Sequence, residues 1–383
     1  MKTILNVKYD NGMTDIEFPC SEKTLRESLE SLGVPDVCPP KLYVTETVTP
    51  DGLQMLEGKE QNLDEINYLA KLLEGLITEE KEKIYAVAEY EGYDTPKDLI
   101  NVYFNPGCYT LIQSIKNIES VGRQYYEGID GTEEQKETEK TDYAKIGKDL
   151  LASDKGVFTK RGLLLRNEQV AFQEVYDGKV FPFYSYTGDE LCSVKAEYGG
   201  RCEYLYLPTE PQAIQKALKR LGTEKAEDCR YELIDFNADN KTWAARFEEM
   251  LKKESIFDVN AAVEKINVAD IDFDKLEGMI KYAGDESAKT IAKLAEHIDD
   301  FEYIDGAMNY TDVGQYAVDI TFGADIPSEL EKYIDRYGVG RHMEEEYAGK
   351  FVDGGFVYIN SHTTLEELLG IPPENEMCEQ QKM

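Results

Sequence analysis

The chain has 383 residues, with 76 acidic against 42 basic side chains and a net charge of −34 at pH 7. Nucleic acids and anionic membranes repel a chain this acidic, which excludes electrostatic binding to either. The 26 Tyr and 14 Phe residues argue for folded cores, and the length suits two or more domains.

In the first half, the residue pattern predicts an N-terminal strand followed by a capped helix within 18–33. A second strand is predicted at 41–48, and helices at 63–76, at 79–91 and around 121–126. A charged stretch at 130–139 is typical of a surface loop, and a Gly-bearing hairpin is predicted at 156–163.

In the second half the same elements are predicted in the same order. The capped helix lies within 207–222 and the next strand at 230–236. Helices follow at 242–253, 259–266 and 273–283, then one around 313–318, and a hairpin at 349–356. We place the break between the halves near Tyr198-Gly199-Gly200-Arg201, and the tail after Pro373 is polar.

The two halves also share individual residues. At an offset of 189, residues 18–33 and 207–222 carry apolar residues at the same helical spacing and end at glycine. Further matches occur at offsets of 192 and 193. They pair Val121-Gly122 with Val313-Gly314, and Asp142, Gly147, Phe158 and Gly162 with Asp335, Gly340, Phe351 and Gly355. Shared order and spacing predict an internal duplication.

We therefore expect an α+β fold built from small mixed α/β domains. The predicted divisions are a small α/β domain at 1–60, the helical and C-terminal region of copy one at 61–197, a second small α/β domain at 198–255, the helical and C-terminal region of copy two at 256–372, and a polar tail at 373–383.

Apolar runs and cysteines indicate the compartment. The first ten residues turn polar too early for a signal-peptide core, and no run approaches the ~18 apolar residues of a membrane span. The 7 cysteines form no Cys-x-x-Cys pair, which favours reduced thiols. We expect a cytoplasmic protein without a membrane partner.

Reactive motifs are scarce. The histidines His297, His342 and His362 lack a second His at i+4, and no Gly-x-Ser-x-Gly elbow occurs. Residues 284–290 resemble a phosphate loop, but two acids stand where phosphate would sit. We interpret the three acids beside His342 as a solvated face. The sequence predicts a protein that is not an enzyme and needs no metal or cofactor.

The acidity is organised along the chain. Through residue 195 there are 36 acids and 22 bases, and from residue 196 there are 40 acids and 20 bases, so the net charges are −14 and −20. Between Lys293 and Lys332 no Lys or Arg occurs, while acids recur three or four residues apart. On a helix this spacing places carboxylates ~5–6 Å apart on one face. Such a surface could occupy a cationic groove that binds DNA.

Several segments resemble the ArdA antirestriction proteins. Residues 326–341 are similar to a family stretch that reads Pro-x-x-Leu-x-x-Tyr-Ile-Asp-Tyr-x-x-Tyr-Gly-Arg-Asp in outline, and residues 141–150 look like the same stretch. Residues 121–127 resemble the family's Val-Ala-Arg-Tyr-Tyr-x-Glu, and 63–69 its helical middle section. Departures are Lys148 in place of Arg, Ile146 and Val339 in place of a Tyr, and a chain about twice the usual length.

The resemblance implies an elongated chain of small α/β domains that mimics bent B-form DNA. It also implies that the partner is a type I restriction–modification enzyme, whose DNA-binding groove is occupied without catalysis. The family forms homodimers, and two units in one chain raise the alternative of a single-chain pseudo-dimer.

We predict that acidic helix faces bind the partner. The predicted residues are Glu127, Asp130, Glu296, Asp299, Asp300, Glu302, Asp305, Asp312 and Asp319. The family-motif turns contain Asp142, Gly147, Asp149, Asp335, Gly340 and Arg341. These turns either fix the last domain of each copy or contact the other unit. The alternative function is an acidic adaptor that binds another basic protein, such as a nucleoid or DNA-binding protein.

Overall fold

The computed structural model describes residues 2–35, 39–49, 52–113, 115–130, 141–153, 156–184, 190–237, 241–268, 271–323, 326, 328–361 and 363–371. The chain divides into two compact units, one of Met1–Gly188 with Gln215–Leu221 and one of Asp189–Ile214 with Gly222–Met383. Both mix helices with small antiparallel sheets, so the predicted α+β class is confirmed. The predicted loop at 130–139 and the tail after Pro373 lie almost wholly outside the described residues.

The strands of the first unit are β1 (Thr3–Tyr9), β2 (Gly12–Phe18), β3 (Lys41–Thr49), β4 (Lys59–Asn62), β5 (Tyr109–Ile112), β6 (Gly156–Thr159) and β7 (Gly162–Arg166). Its helices are α1 (Glu22–Ser31), α2 (Leu63–Glu74), α3 (Thr78–Glu91), α4 (Pro96–Tyr103), α5 (Ile118–Asp130) and α6 (Tyr143–Ala152). Helix α7 (Pro211–Leu221) is divided between the two units.

The strands of the second unit are β8 (Cys192–Tyr198), β9 (Arg201–Leu207), β10 (Arg230–Phe236), β11 (Phe301–Asp305), β12 (Lys350–Val352) and β13 (Gly355–Ile359). Its remaining helices are α8 (Lys241–Lys253), α9 (Ile256–Val268), α10 (Phe273–Ala283), α11 (Ala288–Glu296), α12 (Tyr310–Phe322), α13 (Ser328–Glu331), α14 (Arg336–Glu346) and α15 (Leu365–Leu369). The helices and hairpins predicted from the sequence are confirmed to within a few residues.

The N-terminal sheet of the first unit has the strand order β2-β1-β3-β4. Leu5 and Val7 alternate with polar residues along β1, which places them on one buried face. Helix α1 begins after Ser21, whose side chain accepts a hydrogen bond from the Thr24 N–H at 3.1 Å. Leu25 of this helix is buried in the same core. The second unit has a sheet of order β10-β8-β9, which repeats the arrangement of β3, β1 and β2.

Each unit closes with a three-stranded sheet, β5-β7-β6 in the first and β11-β13-β12 in the second. Val121 of α5 and Val313 of α12 are buried in the corresponding cores. Among the described residues, no helix combines the length and apolar character needed to cross a bilayer.

The break predicted near residues 198–201 falls within a β-hairpin. Strands β8 and β9 pair across it, with Tyr198 opposite Arg201, and the units divide between Gly188 and Asp189 instead. Gly199 and Gly200 both have positive φ, 58° and 77°, as a two-residue type I′ hairpin turn requires. A Gly-Gly pair therefore marks a turn here and not a linker. The same hairpin precedes α1, where the sequence predicted one strand and the structure has β1 and β2.

Candidate partner-binding surface

The acidic segment, residues 296–319, runs through four elements and is not one helical face. Glu296 ends α11, Asp299 and Asp300 lie in a short 3-10 helix (Ile298–Asp300), and β11 and α12 follow. Three of the seven acids, Glu296, Asp312 and Asp319, therefore lie on α-helices, and the other four do not. Asp312 and Asp319 are seven residues apart on α12, which is two turns and one face.

Glu296 is the acid whose charge is most fully offset. Its carboxylate lies 2.9 Å from the Lys293 ammonium and 3.1 Å from that of Lys265. Hydrogen bonds from Lys293 and then Lys265 lower the pKa of Glu296 to about 2. A competing cation would therefore have to displace two lysines.

Asp299 and Asp300 are adjacent but differ in their surroundings. Asp300 Oδ2 lies 2.9 Å from His297 Nδ1, whereas the Asp299 side chain is exposed. Asn360 ties this turn to β11, because its Nδ2 donates to the Asp299 carbonyl at 3.2 Å and to Glu302 Oε1 at 3.3 Å. Sequence reading missed Asn360, since it lies about 60 residues from the acids that it contacts.

Glu302 and Asp305 lie on β11, opposite Tyr358 and Gly355 of β13. Asp305 is exposed and Glu302 half-buried. Burial, and then the Glu302 carboxylate, raise the pKa of Tyr358 to about 12. Burial, followed by Asp305, likewise raises the pKa of Tyr303. Burial is the main cause of both shifts, and the two carboxylates add to it.

The two acids on α12 differ in their hydrogen bonds. Asp312 Oδ2 accepts from the Met308 N–H and from Asn309 Nδ2, both at 2.9 Å, so this carboxylate helps to fix the start of the helix. Asp319 accepts from Gln315 Nε2 at 2.7 Å. Asn309 is the N-cap, which the sequence analysis did not identify although Asn before a helical run is a usual cap signal.

Within the described part of the chain, six acids of the segment have no Lys or Arg nitrogen within 4.0 Å. They are Asp299, Asp300, Glu302, Asp305, Asp312 and Asp319. No group of three or more metal-ligating side chains is found in that part either. The segment thus presents carboxylates whose negative charges are not offset by a Lys or Arg.

The first unit does not repeat this charge. Strands β5 and β11, like helices α5 and α12, begin 192 residues apart. At that offset the seven acids correspond to Phe104, Gly107, Cys108, Thr110, Gln113, Ser120 and Glu127. The last of these is the one acid among them. Glu127 and Asp130 both lie in α5, but their side chains lie outside the described structure.

Of the motif residues, the two aspartates Asp142 and Asp335 cap helices, and the others lie inside helices where turns were predicted. Asp142 and Asp335 are the N-caps of α6 and α14, and each accepts from a backbone N–H three residues later, at 3.0 and 2.9 Å. Gly147 and Gly340 therefore lie in the second turn of a helix. Asp149 is exposed on α6, and the Arg341 guanidinium donates to Glu345 Oε1 at 2.6 Å.

Gly147 and Gly340 are positions where two helices approach closely. A Cβ atom on Gly340 would lie 1.9 Å from the Tyr310 carbonyl oxygen, and one on Gly314 would lie 1.8 Å from that of Arg336. Gly122 and Gly147 make the same reciprocal contact between α5 and α6. These glycines thus allow α5 to pack closely on α6, and α12 on α14.

A family comparison covers the acidic segment. Residues 200–358 match the family model of the antirestriction protein ArdA. The ArdA match includes Asp335, Gly340 and Arg341, whereas Glu127, Asp142, Gly147 and Asp149 lie before it. ArdA is described as an antirestriction protein, so this part of the chain is similar to antirestriction proteins. No curated protein matches the chain.

Proposed function

We propose that this chain is an antirestriction protein that acts as a B-DNA mimic. Its acidic segment would occupy the DNA-binding groove of a type I restriction–modification enzyme in the cytoplasm, without catalysis. The observation that carries the proposal is that the part matching ArdA contains the stretch between Lys293 and Lys332, which has many acids and no Lys or Arg.

The physical basis is that DNA-binding grooves recognise charge before sequence. Duplex DNA carries one phosphate charge per ~1.7 Å of axis, and contacts to phosphates supply essentially all of non-specific affinity. Carboxylates that do not pair with a Lys or Arg of this chain can form ion pairs with the same cations of the groove. Asp299, Asp305 and Asp319 are exposed and fulfil this condition.

We further propose that the two units arose by duplication of one ArdA-like unit. Support comes from the matching strand orders and the two reciprocal glycine contacts. A second pair of matching contacts joins the N-terminal sheets to α2 and α9. Asn67 bonds both backbone polar groups of Cys20 at 2.9 Å, and Asn260 bonds those of Thr209 at 2.8 Å.

Duplication leaves two arrangements for the decoy, a homodimer and a single-chain pseudo-dimer. The second unit supplies most of the target contact in either arrangement, because the first has an acid at one of the seven corresponding positions, Glu127. Light scattering after size-exclusion chromatography distinguishes the two, since a homodimer has twice the 43.6 kDa mass of the chain.

The test is plating of unmodified phage on a host with a type I system, with and without the protein. Wild type should restore plating. A variant with Asp299, Glu302, Asp305 and Asp319 changed to Lys should not. This variant spares Glu296, which pairs with two lysines, and Asp312, which caps α12.

A matched control reverses four exposed acids of the first unit that have no ion pair with a described residue. These are Glu46, Glu60, Glu119 and Glu168. The control changes the net charge equally and should leave antirestriction intact. Equal loss in both variants would indicate that total charge governs the effect. No antirestriction by folded wild type against several type I systems would favour the acidic adaptor.

A further inference from the structure

A cavity of about 380 Å³ lies in the first unit, between α3, α4 and the 3-10 turn that leads into β5. Its lining includes Ile84, Val87, Val102, Tyr103, Phe104 and Tyr109. Most of these side chains are apolar, and Ile84, Val87 and Val102 are buried. The volume falls within the range of small-molecule sites, about 300–1,000 Å³.

The hydroxyl group of Tyr109 is already engaged. It donates to Glu91 Oε1 at 2.5 Å, so the aromatic ring of Tyr109 is the part available to the cavity. Tyr103 and Phe104 pack edge to face with ring centroids 5.0 Å apart. The walls therefore offer apolar and aromatic contacts.

Lys83 is the one cation among the described residues that bounds the cavity. Its ammonium donates to the Pro106 carbonyl at 3.0 Å, and burial lowers the pKa of Lys83. Among the described residues, no carboxylate oxygen lies within 4.0 Å of this nitrogen, although the chain has 76 acids. The nearby Glu80 carboxylate accepts from the Ile77 N–H at 3.0 Å and so caps α3. A partly buried ammonium with only a carbonyl partner complements an anionic group.

The corresponding place in the second unit has different chemistry. At the offset of 192, Phe104 corresponds to Glu296, and Gly107 of the adjoining turn corresponds to Asp299. The acidic segment thus begins where the first unit has an apolar wall. This difference indicates a separate role for the first unit.

We propose that this cavity binds a small aliphatic or aromatic carboxylate. The apolar part of the ligand lies between α3 and α4, and its carboxylate pairs with the Lys83 ammonium. The proposal is independent of antirestriction, because none of these residues belongs to the acidic segment.

Isothermal titration calorimetry with naphthalene-2-carboxylate and its uncharged analogue 2-naphthamide tests both the apolar contact and the pairing of the carboxylate with Lys83. Wild type should bind the carboxylate about tenfold more tightly than the amide, since a charge-assisted pair forms only with the acid. Lys83→Met should remove that preference while the amide still binds. Val87→Trp should abolish binding of both ligands, because the indole fills the cavity.

Lys8→Met, an exposed lysine on β1, is the matched control for the loss of one positive charge and should retain the tenfold preference. Melting temperatures establish that each variant is folded. If Val87→Trp does not fold, since Val87 is buried, the tenfold preference of wild type and its loss in Lys83→Met still decide the proposal. No binding by wild type at millimolar ligand, or equal binding of acid and amide, would overturn the proposal.

Discussion

Gly147 of α6 lies against the backbone of Ile118 in α5, so that a Cβ atom at position 147 would be 2.1 Å from the Ile118 carbonyl oxygen. Tyr143 and Gly122 make the reciprocal contact, with a Cβ-to-oxygen distance of 1.9 Å. In each helix the glycine follows the contacted carbonyl residue by four positions, one turn later. Small residues permit this approach because the obstacle is backbone, which cannot rotate away as a side chain can.

Gly147→Ala should therefore destabilise the first unit by about 3 kcal/mol, at the upper end for overpacking, because the two helices must separate. Urea unfolding followed by circular dichroism measures the change. Gly75→Ala is the control, since its Cβ would lie 3.8 Å from the nearest atom, and should cost no more than about 0.5 kcal/mol. Similar stability of the two variants would show that α5 and α6 move apart easily.

The sequence pattern singled out Gly147 and Gly340 but predicted turns at both, whereas both lie inside helices. Glycine near Asp usually marks a turn or a cap, and Asp142 does cap a helix. Gly147 comes five residues later, inside that helix. A glycine is needed there because α5 crosses α6 at this point. This crossing is a tertiary contact, which neither the helix propensity nor the hydrophobic periodicity of residues 143–152 can indicate.

Asn260→Ala should destabilise the second unit by about 1–3 kcal/mol, because both backbone groups of Thr209 lose their partner. Asn260 is 3% exposed, so water cannot easily replace the amide. Asn360→Ala is the comparison, since Asn360 is exposed and should matter little to stability. Equal unfolding free energies for the two variants, measured in urea, would argue against a stabilising contact at Asn260.

Glu296 should stabilise the fold in a pH-dependent way. Its folded pKa of about 2 lies below the ordinary 4.5, so its contribution is present above pH 4.5 and is lost as the pH falls toward 2. The difference in unfolding free energy between wild type and Glu296→Gln should shrink over this range. Carboxyl NMR titration gives the pKa directly, and Lys293→Met should raise it. An unchanged midpoint in that variant would contradict the ion pair as its cause.

Some features of the candidate surface could be predicted from the sequence, and others could not. The absence of Lys and Arg between residues 293 and 332 located the acidic segment, and the helix around 313–318 was expected. The prediction of helix faces fails for Glu302 and Asp305, because both lie on β11 and pair with residues of β13. The pairing of Glu296 with Lys265 joins residues 31 positions apart, which spacing alone does not indicate.

Inhibition should weaken as salt rises, because the proposed contacts are ion pairs that replace counterions. Inhibition of DNA cleavage by a purified type I enzyme should require several-fold more protein at about 200 mM salt than at about 50 mM. The four-acid reversal variant should show weak inhibition at both concentrations. Since the enzyme's DNA affinity also depends on salt, binding to the protein alone is measured in parallel. Salt-independent binding would contradict a charge-based decoy.

Replacing single acids by their neutral amides should distinguish a direct contact with the enzyme from an effect of the overall negative charge. Asp305→Asn should weaken binding to the enzyme about tenfold, because an exposed carboxylate loses a charge-assisted contact. Glu296→Gln removes the same charge, but this carboxylate already pairs with Lys265 and Lys293, so we expect less than about threefold weakening. Equilibrium binding at one salt concentration measures both. Equal weakening by the two substitutions would mean that long-range charge, and not direct contact at Asp305, holds the complex together.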